Sequence, residues 1–339
     1  MIRHAIRLAL LLAVSALMAG AALLGTALAQ PAAREPARDP VWPLRPIRLI
    51  APFPPASTVD VIARILGQKL SARLGQQLVI DNRAGASGNI GADAIAKAAP
   101  DGYTLGVVTV STQAIAVTLV PNLPYDPTKD FTPIAMIASS PYALVVYAGL
   151  PAKSVADLIS LAKRRPGALN YGSAGPASLA HLAGALFATS TDISLTHVPY
   201  KSSAQSVVDL ISGRLDMQFA TIAPTLANIR AGQLRALAVT SKNRVEALPE
   251  VPTMDAAGVP GYDAVLWFAL VGPAGLPANI AARLNHEVID VLNSPDMKAT
   301  LEQQGFVGDA GTPQALTDQV RRDIVKWREV IPKAGIKGE

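Results

Sequence analysis

The sequence predicts an α/β protein built as two lobes around a cleft. Three features of the 339 residues lead there. Short apolar, β-branched runs alternate with longer stretches whose apolar residues recur every three or four positions. That is the pattern of strands joined through crossover helices into a largely parallel sheet. Two Pro- and Gly-rich segments, 121–133 and 248–261, interrupt the alternation and read as crossings between lobes. On both sides of them the strand-to-helix junctions are rich in Gly, Ala and Ser, which let a ligand approach the backbone closely. One doubly wound sheet without a hinge would fit the same alternation.

Ile47–Ala51 reads as the first strand, broken by Pro52-Phe53-Pro54-Pro55-Ala56. A helix follows over Thr58–Leu74, with Val61, Ile62, Ile65, Leu66 and Leu70 on one apolar stripe and Gly75 ending it. Residues 78–80 form the second strand and 81–88 a turn-rich loop. A helix then runs to about residue 99, and 104–110 completes a β-α-β-α-β unit. Beyond the first crossing, Tyr142–Tyr147 is a strand. Helices at 155–164, 178–188, 204–211 and 224–231 then alternate with strands at 169–171, 195–198, 217–219 and 234–240. After the second crossing come a strand at 265–271 and helices at 280–292, 297–304 and 313–331. These assignments put 41–112 and 250–339 in lobe 1, and 113–249, crossing segments included, in lobe 2.

Residues 1–29 read as a signal peptide. Arg3 and Arg7 form a basic start, an apolar run follows, and Thr26-Ala27-Leu28-Ala29 ends in the small-x-small pattern of a cleavage site. Cleavage after Ala29 leaves a Pro-, Ala- and charge-rich lead-in over 30–40 that reads as disordered. Uncleaved, 8–28 is long enough to span a bilayer. No later stretch approaches a span, so no stable membrane insertion is expected after cleavage. The chain has no Cys, which excludes disulfides, thiolate catalysis and acylation of a cysteine.

The formal charge is +5, two units of it from Arg3 and Arg7. The remaining cations are scattered, with no basic stripe and no interleaved aromatics, so no nucleic-acid partner is expected. There is no H-E-x-x-H pair, no clustered acidic set, no phosphate loop, no three-glycine dinucleotide fingerprint and no G-x-S-x-G elbow. No metal, cofactor or catalytic residue is implied. Ser173, His181 and Asp216 make a triad only on paper, and His181 reads better as a packing or capping residue.

Three junctions could hold an anion. In Phe53 to Thr58, which includes Pro55, Ala56 and Ser57, Ser57 or Thr58 can cap the helix and leave N–H groups free for a carboxylate. Asp60, in the first turn, is expected from the helix dipole alone. Ser87, Gly88 and Asn89 open the next helix, and Thr109 lies in the third strand. The other lobe repeats the arrangement with Ser173, Ala177, Ser178 and His181, and Tyr200 ends a later strand within reach of a cleft. Each junction could also be a plain cap or turn. Trp267, beside the second crossing, is a candidate for the cleft rim.

These stretches resemble the periplasmic receptors of tripartite tricarboxylate transporters. The resemblance runs through Pro52-Phe53-Pro54-Pro55 with Asp60, Asp81-Asn82-Arg83-Ala84-Gly85-Ala86-Ser87-Gly88-Asn89, Pro100-Asp101-Gly102-Tyr103-Thr104, His197-Val198-Pro199-Tyr200-Lys201 and Val251-Pro252-Thr253-Met254, in that order over about 42–335. It implies a two-lobed type II periplasmic binding protein with a hinge and an interlobe cleft, located in the periplasm. It also implies a small organic carboxylate as ligand, a two-component membrane permease as partner, and no catalysis. A receptor that signals to a membrane sensor is the alternative reading, and an enzyme acting on a small acid a weaker one. The family commonly has Gly at the positions of Ala56, Ser57, Ala177 and Ser202, Pro at Ala84 and Glu at Ala256. A Cβ at Ala56 or Ala177 is expected to narrow the loop and to exclude positive φ. The departures imply a ligand differing in shape from the family's common dicarboxylates.

Overall fold

The computed structural model describes residues 42–337. The expected signal peptide and lead-in lie outside the described residues. From Arg45 onward the chain forms two mixed β-sheets flanked by helices. The first contains β1 (Ile47–Ala51), β2 (Leu78–Asn82), β3 (Thr104–Thr109), β4 (Phe131–Ser140), β10 (Leu266–Pro273) and β11 (Val307–Gly308), in the order β11-β4-β10-β3-β1-β2. The second contains β5 (Tyr142–Tyr147), β6 (Asn170–Ser173), β7 (Thr196–Pro199), β8 (Met217–Thr221) and β9 (Leu234–Val239), in the order β7-β6-β8-β5-β9.

β1 lies between β3 and the edge strand β2, and its Ile47, Leu49 and Ile50 are all fully buried. An apolar run hidden on both faces is what a parallel strand covered by helices requires. Helix α1 (Thr58–Leu74) leads from β1 to β2, and α2 (Asn89–Ala96) from β2 to β3. α1 stops where Gly75 turns left-handed (φ 70°) and donates its N–H to Ser71 O at 3.1 Å. A π-helical turn, Ser111–Ile115, runs into the short α3 (Ala116–Leu119). In the second lobe α4 (Val155–Arg164), α5 (Leu179–Thr191), α6 (Ser203–Ile211) and α7 (Ile222–Arg230) alternate with strands. The chain closes with α8 (Ala278–Asn293), α9 (Pro295–Gln303) and α10 (Pro313–Lys333).

Three expectations need correction. Only β3-β1-β2 and β7-β6-β8 run parallel, while β4, β5, β9, β10 and β11 pair antiparallel. The chain leaves the first lobe along β4 and returns along β10, so these two necessarily oppose each other. Second, the crossing is not at 121–133, and the second lobe does not begin at residue 113. Residues 131–140 belong to the first sheet, and only Pro141 separates β4 from β5. The prolines that made this stretch read as irregular are accommodated locally, since Pro133 lies opposite Val271 next to a register shift, where a strand tolerates proline. Third, the return does not begin at 250. Val239 N–H donates to Pro252 O (2.8 Å) and Met254 N–H to Val239 O (2.9 Å), which keeps this segment with the second sheet.

The crossings are tied together. Thr240 N–H donates to Tyr142 O (2.8 Å), Tyr142 N–H donates to Thr240 Oγ1 (2.9 Å), and Leu266 pairs with Ser140. α10 packs on β4, on Ser111–Ile115 with α3, and on α5, so it touches both lobes. Trp267 Nε1 donates to the buried Asp323 of α10 at 2.7 Å, and Lys326 Nζ lies 2.6 Å from the other oxygen of that carboxylate.

In the second lobe Phe219, fully buried, meets Phe187 edge-on at 6.0 Å and stacks on Tyr262 at 5.8 Å. Phe219→Ala is expected to cost about 3–5 kcal/mol, read as a lowered urea midpoint in chemical unfolding.

Candidate functional site

The loop between β1 and α1 is organised by Asp60. Its carboxylate is buried and accepts from Ala56 N–H (2.8 Å), Arg64 Nε (2.9 Å) and Asn82 Nδ2 (2.9 Å), and the same Asn82 amide donates to Phe53 O (3.0 Å). Ser57 is the N-cap of α1, its Oγ accepting from Asp60 N–H at 3.3 Å. The Arg64 contact foremost, helped by the Asn82 and Ala56 donors and opposed by burial, holds the Asp60 carboxyl below the usual carboxylate range. Asp60 therefore does more than answer the helix dipole. It fastens a turn in which Ala56 is left-handed, at φ 62°.

The loop before α2 is more unusual. Ala86, Ser87 and Gly88 are all left-handed, at φ 46°, 54° and 93°. A Cβ on Gly88 would lie 2.9 Å from the Phe53 ring and from Thr112, so glycine is needed for the two loops to meet. α2 starts without a side-chain cap, which leaves N–H groups of its first turn unclaimed by any side chain. Asn89 is buried, with Oδ1 taking the Tyr125 hydroxyl at 2.8 Å. Thr109 ends β3 beside it. Its Oγ1 is buried without a hydrogen-bond partner.

In the second lobe Ala177 is left-handed (φ 58°) and Ser178 caps α5, its Oγ accepting from His181 N–H at 3.3 Å and donating to Gly175 O at 2.7 Å. Ala177 N–H donates to His181 Nδ1 at 3.1 Å. The His181 ring stacks on His197 at 3.7 Å, and His197 Nε2 is 2.7 Å from Ser173 Oγ. Burial foremost, then the neighbouring His197, pushes His181 down to about 4, and burial lowers His197 as well. The paper triad is not assembled. Ser173 is fully buried and meets His197 rather than His181, while Asp216 takes Asn170 N–H at 2.8 Å.

These loops surround a cavity of about 770 Å³ between the lobes. Of the candidate residues, Phe53, Ser57, Thr58, Ser87, Asn89 and Thr109 line it from the first lobe, and Ala177 and Ser178 from the second. Six candidates do not line it. Pro55 and Ala56 are exposed outside the lining, Gly88 packs under Phe53, His181 takes the Ala177 N–H, and Ser173 meets His197, which stacks on His181. Tyr200 is directed to Asp209, with its hydroxyl 2.8 Å from Oδ2. Trp267 borders a different cavity, of about 370 Å³, with Asp263, Asp323 and Lys326. Sequence reasoning missed Ser111, Ile115, Ala116, Leu119 and Val120, and it missed Tyr142 and Leu266 at the crossings. The i, i+4, i+5, i+8, i+9 spacing of the first five was the available signal, hidden by the π-helical turn and the prolines after it.

Two lobes with a cavity of this size between them, walled by helix starts, form the architecture of a solute-binding receptor. Residues 62–336 match the family described as tripartite tricarboxylate transporter family receptor, and the chain belongs to that family, whose members are periplasmic. It is similar to a solved structure of R. palustris Rpa4515 with adipate, at 40% identity over 88% of this chain and 100% of that one (TM-score 0.74). It is likewise similar to MatC (Rpa3494) from Rhodopseudomonas palustris with bound malate, at 30% identity over 86% and 100% of the two chains (TM-score 0.70). Protein BugT of Bordetella pertussis is 36% identical over 317 residues, 93% of this chain and 97% of that one.

The added Cβ does not exclude positive φ at Ala56 or Ala177, as the sequence suggested. Both hold it, at a cost of about 1–2 kcal/mol each that glycine would not bear. After the extra chain entropy of glycine, Ala56→Gly and Ala177→Gly are each expected to stabilise the protein by about 0.5–1 kcal/mol, measured as a raised urea midpoint. The histidines give a pH dependence. An unfolded His181 takes up a proton near pH 6.5 while the folded one waits until about 4. Its contribution is thus complete above 6.5 and lost as pH falls from 6.5 toward 4. Unfolding titrations between pH 7 and 4 should show stability falling, less steeply in His181→Gln.

Proposed function

We propose that the cleft binds a small organic carboxylate and that this receptor delivers it to a two-component membrane permease. The observation that carries the reading is the convergence of three helix starts on one cavity: α1 and α2 from the first lobe and α5 from the second. Peptide N–H groups in a first helical turn have no intrahelical partner and lie at the positive end of the dipole, so they suit an anion. Hydroxyls of Ser57, Thr58, Ser87 and Thr109 stand beside them. The unpartnered Thr109 Oγ1 is a donor awaiting an acceptor. On this reading Ser57, Thr58, Ser87, Asn89 and Thr109 hold the carboxylate, and Ala177 and Ser178 close over it from the other lobe. The relatives solved with adipate and malate support the class of ligand.

In a thermal-shift screen of organic acids, binding to the folded form alone raises Tm. A screen in which no carboxylate moves Tm would overturn the reading. Thr109→Val removes one hydrogen bond to the ligand and none within the protein. It is expected to weaken the best acid about tenfold, by roughly 1–1.5 kcal/mol, with unchanged unfolding in its absence. Titration calorimetry and urea unfolding read the two effects separately. Delivery is tested by acid uptake into vesicles that hold the permease, which should depend on added receptor.

A further inference from the structure

We infer that the ligand is an amphipathic carboxylate with an apolar body of several carbons, open-chain or ring, rather than a compact hydroxylated acid. This rests on the carboxylate reading above and concerns what lies beyond the carboxylate. Ser57, Thr58, Ser87, Asn89 and Thr109, the residues of the carboxylate reading, line the cavity from the junctions of the first lobe, and Asp93, Ser111, Tyr142, Ser178 and Lys337 are its other polar side chains. From there one face of the segment 111–120 continues the wall. It begins with Ser111 and goes on through Ile115, Ala116, Leu119 and Val120, one polar side chain followed by four apolar ones. Ile90, one residue past the start of α2, and Pro124 border the same space, and Leu266 reaches it from the crossing. Ile90 is 54% exposed, so its side chain is not part of the packed core.

Hydroxyls of a compact acid that come to lie against Ile115, Ala116, Leu119 and Val120 lose their hydration without gaining a partner there. Asp93, also on the wall, is neutralised by Lys97 at 2.6 Å. The volume of about 770 Å³ falls within the range that encloses drug-sized ligands, about 300–1,000 Å³. An apolar body displaces water from side chains that gain nothing by keeping it.

The test is calorimetry across homologous straight-chain mono- and α,ω-dicarboxylates of increasing length, with benzoate, phenylacetate, succinate and malate alongside. Each added methylene is expected to tighten binding about fourfold, the equivalent of about 0.8 kcal/mol per buried CH₂, until the gallery is filled, with an increasingly negative heat-capacity change. Ile90→Gln should flatten that dependence on chain length. The substitution lies on an exposed side chain, and its unfolding midpoint checks the fold. Tightest binding by malate, or affinity independent of chain length, would overturn this inference while leaving the carboxylate reading intact. No binding by any acid would overturn both.

Discussion

The architecture depends on a constraint one residue long. β4 ends at Ser140 in one sheet, β5 begins at Tyr142 in the other, and Pro141 is all that separates them. A proline there has a fixed φ and no N–H to offer either ladder. The strand therefore changes sheet without a competing hydrogen bond. The return crossing is tied to the same point through Thr240–Tyr142 and Leu266–Ser140. The cavity floor, where Tyr142 and Leu266 lie, is thus built from the crossings themselves. α10, resting on β4 and on α5, couples the lobes a second time.

On that frame the ligand loops share one device. Each has a left-handed residue that is not glycine, namely Ala56, Ala86 with Ser87, and Ala177. Strain of this kind persists only where the surroundings over-determine it. Around Ala56 the surroundings are Asp60, Arg64 and Asn82. Around Ala177 they are His181, His197 and Ser173. In both cases the left-handed residue donates its own N–H to the cluster, Ala56 to Asp60 and Ala177 to His181, which holds the turn in place. Several residues singled out for chemistry, Ser173 and His181 among them, act in this supporting way.

The legibility of the sequence follows from these facts. Helices with regular apolar stripes were readable: Thr58–Leu74 lies where the spacing puts it, because its buried side at Ile62, Leu66 and Leu70 is continuous. Tyr142–Tyr147 was equally plain. β4 was not, because Pro133 and the prolines ahead of it mask a strand that carries extra residues, Ile134 and Ile137, at its two register shifts against β10. The π-helical turn at Ser111–Ile115 breaks the 3.6-residue period, so the apolar wall of the cavity had no clean signature. At the site, Ser57 and Ser178 were legible as caps. That Ser173 faces His197 rather than the cleft was not, since it depends on two strands being neighbours in a sheet.

The cavity walls carry one further consequence. Apart from Lys337, near the end of the described chain, the lining offers no positively charged side chain whose charge is unopposed. On the proposed carboxylate reading, its attraction for an anion rests on peptide dipoles and hydroxyls fixed inside a recess. Mobile ions screen exposed charges over about 10 Å at 0.1 M salt but reach enclosed groups poorly. A compartment open to the surroundings changes its salt content with them. A receptor that recognises acids through its backbone keeps nearly the same affinity through such changes, where one relying on surface arginines would not.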